Sequence, residues 1–142
     1  EKNIKLDILQ VPMNINCDIN ASALIEKKCE VFARSIFLQG AYFLKSNLYF
    51  NDTICKKLES QKNYLMKLAT LNGMDLGQFL FSEAIHLSKK NFYKGIIFNT
   101  SKIERLITYI HNHADINPEF YDDKLKYELR NEYLADPRKW KL

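Results

Sequence analysis

Val31-Phe32-Ala33-Arg34-Ser35-Ile36-Phe37-Leu38-Gln39-Gly40 is the stretch on which the fold turns. Its opening residues are β-branched, aromatic or small and read as a strand packed among others. Arg34-Ser35 interrupts the run, and Gly40 punctuates the loop that follows. An arginine inside a buried strand costs free energy unless a partner meets it, so the strand's end is where function is expected.

Working outward, residues 6 to 12 form an earlier strand that stops near Pro12, which donates no ladder bond and restricts Val11 before it. Asn20-Ala21-Ser22 offers a cap for a short helix through Lys28, and the second strand runs from about 29 to 35. Residues 39 to 52 read as a long loop with an aromatic face of Tyr42, Phe43, Tyr49 and Phe50, more apt for packing than for substrate contact. A helix over 54 to 71 is closed by Asn72-Gly73. Asp75 stands three before Gln78 in capping-box spacing, ahead of a stripe of Leu76, Phe79, Leu80, Ala84 and Leu87.

A third strand spans about Tyr93 to Phe98. Ser101 and Glu104 repeat the capping-box spacing before a helix whose Ile103, Leu106, Ile107 and Ile110 share one apolar face. Beyond Pro118, a last helix over Tyr121 to Tyr133 carries Leu125 and Leu129 and stops before Asp136-Pro137. Strands alternating with helices indicate βα units, a parallel sheet and the α/β class. The expected division is βα units over residues 1–116 and a helical tail over 117–142 that packs on them.

Composition narrows the class further: 46% hydrophobic, 27% charged, with 21 basic and 17 acidic side chains for a net charge of +4. That excess is spread along the chain, which argues against nucleic-acid binding. No apolar run nears the ~20 residues of a membrane span. Cys17, Cys29 and Cys55 form no Cys-x-x-Cys pair, so free thiols in a reducing cytosol are expected, with Cys29 in the core.

The decamer resembles the seventh strand and following loop of the aldo/keto reductase family. Leu6-Asp7-Ile8-Leu9-Gln10-Val11-Pro12-Met13-Asn14 resembles its sixth strand. Gly95-Ile96-Ile97-Phe98-Asn99-Thr100-Ser101-Lys102-Ile103-Glu104-Arg105-Leu106 resembles its eighth strand and last barrel helix. The resemblance implies three parallel strands of a partial (β/α)8 TIM barrel, the C-terminal part of an NADP-dependent oxidoreductase that reduces a small carbonyl substrate by hydride transfer. A whole barrel needs about 250 residues, against 142 here. The chain opens at Glu1 without an initiator Met, as expected of an incomplete or processed start.

The resemblance also assigns roles at the strand ends. Gln10 matches a glutamine that hydrogen-bonds the nicotinamide carboxamide, and Arg34 stands where many members place a tyrosine that stacks on the nicotinamide. Ser35 matches a pyrophosphate contact, with Phe37 in the same loop, and Arg105 matches the arginine that meets the NADPH 2'-phosphate. Asn99-Thr100 replaces the family's Lys-Ser ahead of Ser101, which removes one of two cations for that phosphate. Thr108-Tyr109 replaces a Glu-Asn pair that holds the adenine. The family's catalytic Asp, Tyr, Lys and His lie on earlier strands, so no catalytic residue is assigned and the chain by itself is expected to be inactive.

From the residues alone, backbone N–H groups near Ser35 to Leu38 and at Ser101 suit a pyrophosphate, and Arg105 suits a phosphate. Gln10 is read either as a cofactor contact or as a polar plug in a barrel interior. His111-Asn112-His113-Ala114-Asp115 imitates a zinc-hydrolase motif, yet residues two apart on a helix point apart and cannot share a metal. His86 reads as an interior or boundary histidine. Three readings follow: part of a reductase completed by an N-terminal half, a partial barrel that binds nucleotide or phosphate without chemistry, or a module that dimerises through open strand edges.

Overall fold

In the computed structural model the described residues are 5–17, 19–26, 28–44, 52–100, 102–111, 132–135 and 140. Three strands, β1 (Ile8–Pro12), β2 (Glu30–Arg34) and β3 (Gly95–Ile97), make an all-parallel sheet with β2 in the middle. Register is continuous, with Val11 beside Ala33 and Ala33 beside Ile96. α1 (Ser22–Ile25) lies between β1 and β2; between β2 and β3 come a 3-10 turn (Leu38–Phe43), α2 (Asp52–Leu71) and α3 (Leu76–Lys90). α4 (Ile103–His111) follows β3, and α5 (Glu132–Ala135) is a short later turn.

Among the described residues the sheet has one face covered by helices and one that no helix covers. Because side chains alternate along a strand, Val31 and Ala33 point one way and are buried with Phe81, Ala84 and Leu87 of α3. Gln10 and Arg34 point the other way and are exposed, with Ile8 at 60% and Ile97 at 40% exposure on the same face. Among the described residues the outer edges of β1 and β3 carry no further strand.

α3 is buried on two sides rather than along the single predicted stripe, since Phe81, Ser82, Glu83 and Ser88 are covered as well. Its second side, Phe79 and Leu80, meets Leu65, Leu68 and Ala69 of α2 in a separate core. On α2 the buried Ile54, Leu58, Gln61, Leu65 and Leu68 recur at intervals of three and four, one face of a helix. The α2–α3 corner is local chemistry. Gly73 takes φ +67 and Met74 N–H donates to the Ala69 carbonyl at 2.9 Å, closing α2 in the Schellman manner. Asp75 and Gln78 make the predicted reciprocal capping box at 2.8 and 3.0 Å.

Several expectations need correction. α1 ends at Ile25 rather than reaching Lys28, whose φ of 59 is left-handed and turns the chain into β2. Part of the supposed loop is the 3-10 turn, with Tyr42 buried and Phe43 exposed; Tyr49 and Phe50 lie outside the described residues. Ile103, Ile107 and Ile110 of α4 are exposed, and Tyr109 is the residue that this helix buries. His86 is exposed on α3 rather than interior, because the buried faces of α3 fall on either side of it. Cys29 is buried as expected, and Cys17, Cys29 and Cys55 form no disulfide among the described residues. No helix among the described residues is long and apolar enough to cross a membrane. Most of the predicted helical tail lies outside the described residues.

A buried polar triad ties the loop after β1 to the turn after β2 and to α2. Asn16 Nδ2 donates to Tyr42 Oη at 3.0 Å and to Gln61 Oε1 at 3.2 Å, Tyr42 Oη donates to Gln61 Oε1, and Gln61 Nε2 donates to Asn16 Oδ1 at 2.7 Å. Burial raises the Tyr42 phenol well above its ordinary 10.0, and the Asn16 hydrogen bond offsets only part of that. Raised folded-state affinity for a proton means that stability is full below the unfolded pKa and is lost as pH rises beyond it. Urea unfolding from about pH 8 to about pH 11 should therefore show stability falling once unfolded tyrosine ionises, by up to about 1.4 kcal/mol per pH unit from Tyr42. Tyr42→Phe should flatten that slope while lowering stability at neutral pH.

Candidate functional site

The C-terminal ends of β2 and β3 are register neighbours, Arg34 beside Ile97, and the segments leaving them wall a cleft of about 490 Å³. One wall is the loop after β2, Ser35 to Gly40 with Phe43; the other is Ile97 to Thr100 with Arg105 and Tyr109 of α4. The floor is aromatic. Phe37 meets Phe98 edge-on at 6.2 Å, Phe98 meets Phe81 at 5.1 Å, and Tyr109 stacks on Phe81 at 5.3 Å with planes 27° apart.

The loop after β2 is backbone-driven. Ser35, Leu38, Gln39 and Gly40 all take left-handed φ, at 60, 50, 55 and 79. A left-handed conformation costs an L-residue about 1–2 kcal/mol, so three of the four are strained. What holds them is the core: Leu38 is fully buried, and the turn is closed by Leu38 N–H to the Ser35 carbonyl at 2.9 Å and Gly40 N–H to the Phe37 carbonyl at 2.8 Å. Phe37, at φ −97 and ψ 17, followed by left-handed Leu38 is the right-then-left alternation that turns successive N–H groups into one concavity. The N–H groups of Ile36, Phe37 and Gln39 find no carbonyl among the described residues.

Five of the predicted residues come together here: Ser35, Phe37, Asn99, Thr100 and Arg105 all line the cleft. Gln10 and Arg34 do not. They lie on the bare sheet face, on neighbouring strands, where Arg34 Nη1 donates to Ser35 Oγ at 3.2 Å. Ser101 lies outside the described residues; at the turn into α4, Thr100 Oγ1 accepts from Lys102 N–H at 3.3 Å. Gln39, Phe43, Phe98 and Tyr109 join the cleft although sequence reasoning did not assign them to it. Tyr109 was findable, since it stands four residues after Arg105 on the same helix face. The left-handed run was not, because neither Leu38 nor Gln39 is a residue type that announces it.

Tyr109 is buried beside charge. Its phenol is raised above its ordinary value by burial first and by the Asp75 carboxylate next, with Arg105 opposing. It is therefore a neutral hydroxyl at physiological pH. Among the described residues no three His, Cys, Asp or Glu side chains gather to hold a metal ion; His111 is exposed at the end of α4, and His113 and Asp115 lie outside the described residues. The chain matches no protein-family model, no curated protein and no solved structure.

The loop's energetics are testable by exchange of types at adjacent positions. Nothing lies within 4 Å of a Cβ placed on Gly40, so Gly40→Ala should cost only conformational energy, about 1–2 kcal/mol in urea unfolding. Gln39→Gly removes the same strain and should leave stability equal or higher. Equal responses at the two positions would show that the loop relaxes out of this conformation.

Proposed function

We propose that this chain is the C-terminal part of an aldo/keto-reductase-like barrel, an NADP-dependent oxidoreductase acting on a small carbonyl substrate, and that it contributes half of the dinucleotide site. The observation that carries this is the bare face. A parallel sheet is ordinarily covered on both faces, and here the described helices cover only one, while Gln10, Phe32, Arg34 and Ile97 face outward. In a closed barrel that face is the interior, and the open edges of β1 and β3 are paired. The remainder of the barrel, supplied as an N-terminal half, is the natural partner.

The cleft has the chemistry that a dinucleotide requires at this place. In βα barrels, phosphate is held by the loops after the seventh and eighth strands and a helix N-terminus. The N–H concavity at Phe37–Leu38, Ser35 and Thr100 suit phosphate oxygens, and Arg105 supplies a cation at the opposite wall. On this reading Gln10 and Arg34, which share the outward sheet face with Ile97 of the cleft wall, would serve the nicotinamide end. NADPH would supply the hydride; this chain's residues would bind and orient it.

A second reading, nucleotide or phosphate binding without chemistry, has its own support. The titratable side chains lining the cleft are Arg105 and Tyr109, and a phenol with a raised pKa is a poor general acid. Self-association through the open edges is the third reading, and its mark would be a dimer by light scattering at micromolar concentration.

Titration separates them. NADPH is expected to bind weakly, near ~1 mM, because half of a site offers half of the interactions and affinity falls about tenfold for every 1.4 kcal/mol of binding energy forgone. Arg105→Ala should weaken NADPH more than NADH, since only NADPH carries the 2'-phosphate; equal weakening would remove Arg105 from that role. Carbonyl-dependent NADPH oxidation should be absent from the chain alone and appear when a polypeptide with the first five strands of a related barrel is added. Turnover by the chain alone would overturn the half-site assignment.

A further inference from the structure

Gly77 sits in the first turn of α3 with no left-handed φ to require it, unlike Gly40 and Gly73. Alanine is the better helix former at such a position, so the reason for glycine is space. A Cβ on Gly77 would overlap the Tyr109 hydroxyl and lie 3.1 Å from Tyr109 Cζ and 3.2 Å from Asp75 Oδ1. Tyr109 thus lies flat along α3, its hydroxyl over Gly77 and its ring stacked on Phe81 one turn further on. On its other side the ring meets Phe37 of the strained loop at 5.9 Å.

α4 depends on that seat. Tyr109 is its buried residue, Leu106 is half-buried, and Ile103, Ile107 and Ile110 are exposed. Arg105 stands one turn before Tyr109 on the same face and is carried to the cleft by the same seating. We propose that Gly77 and Tyr109 form a packing lock that positions Arg105 at the cleft, so that a residue touching no ligand governs anion affinity. The proposal rests on the reading that the cleft binds a phosphate-bearing ligand. Gly77 and Tyr109 are positioning residues, and Arg105 is the group that meets the ligand.

The test is a set of pyrophosphate titrations followed by NMR on the full chain. Arg105→Ala should weaken pyrophosphate binding about tenfold or more, as loss of a charge-assisted hydrogen bond does. Gly77→Ala, which substitutes no cleft residue, should weaken it to a similar degree. Tyr109→Phe is the reference for the double variant: adding Gly77→Ala to it should cost far less affinity than Gly77→Ala costs the parent, because the overlapping hydroxyl is gone and only a 3.1 Å contact at Cζ is left to relax. A general loss of stability would not be rescued in this way. Tyr109→Leu keeps Gly77 and removes the ring, and is expected to bind weakly even if Gly77→Ala proves unfolded. Parent-like binding by Gly77→Ala or by Tyr109→Leu, with Arg105→Ala impaired, would overturn the lock and leave the phosphate reading standing. No pyrophosphate binding by the parent, or undiminished binding by Arg105→Ala, would overturn the phosphate reading instead. The lock is then read from the Arg105 Nε–H resonance, which must move in Gly77→Ala and return in the double variant; no movement overturns it.

Discussion

The seating of α3 on β2 is the contact from which the rest of the structure follows. Phe81, Ala84 and Leu87 close over Val31 and Ala33, which are all but inaccessible to water. Parallel strands cannot be joined by a tight turn and need a crossover that packs back on the sheet. Between β2 and β3 that crossover holds both long helices, and α3 is the one that returns. With it in place, all three strands point their C-terminal ends to the same side. The loops after β2 and β3 therefore meet, and the cleft lies between them.

Helix coverage is asymmetric, and the asymmetry leaves apolar surface in water. Ile8, Phe32 and Ile97 lie on a face that no described helix covers, beside Gln10 and Arg34. Apolar surface so placed favours whatever next covers it. Open edges on β1 and β3 press the same way, since unpaired strand groups recruit partners.

Around the cleft, the residues that line it also hold the fold together. The left-handed run Leu38–Gly40 is held by burial of Leu38 and by the Asn16–Tyr42–Gln61 triad behind it. Strain so clustered persists only where its surroundings over-determine it, which is common at ligand sites. Tyr109 serves both ends: its ring completes the aromatic floor, and its hydroxyl fills the space that Gly77 leaves.

Local chemistry determined much of this protein from sequence alone. The alternation of strands and helices was legible, and so was the α2–α3 corner, because Gly73, Asp75 and Gln78 act through backbone within a few residues of themselves. The strand ends also announced themselves, through polar residues following apolar runs, and five of the predicted residues meet in the cleft. Tertiary structure decided the remainder. Periodicity marks which face of a helix is apolar but not what meets it, so Ile103, Ile107 and Ile110 share an apolar face yet stand exposed, while a single aromatic, Tyr109, seats α4. It marked one stripe on α3 where two packing partners make two. The separation of Gln10 and Arg34 from the cleft, and the left-handed path of Leu38 and Gln39, depend on pleat alternation and core packing across distant segments. Such contacts join residues far apart in the chain, and no local pattern of residue types encodes them.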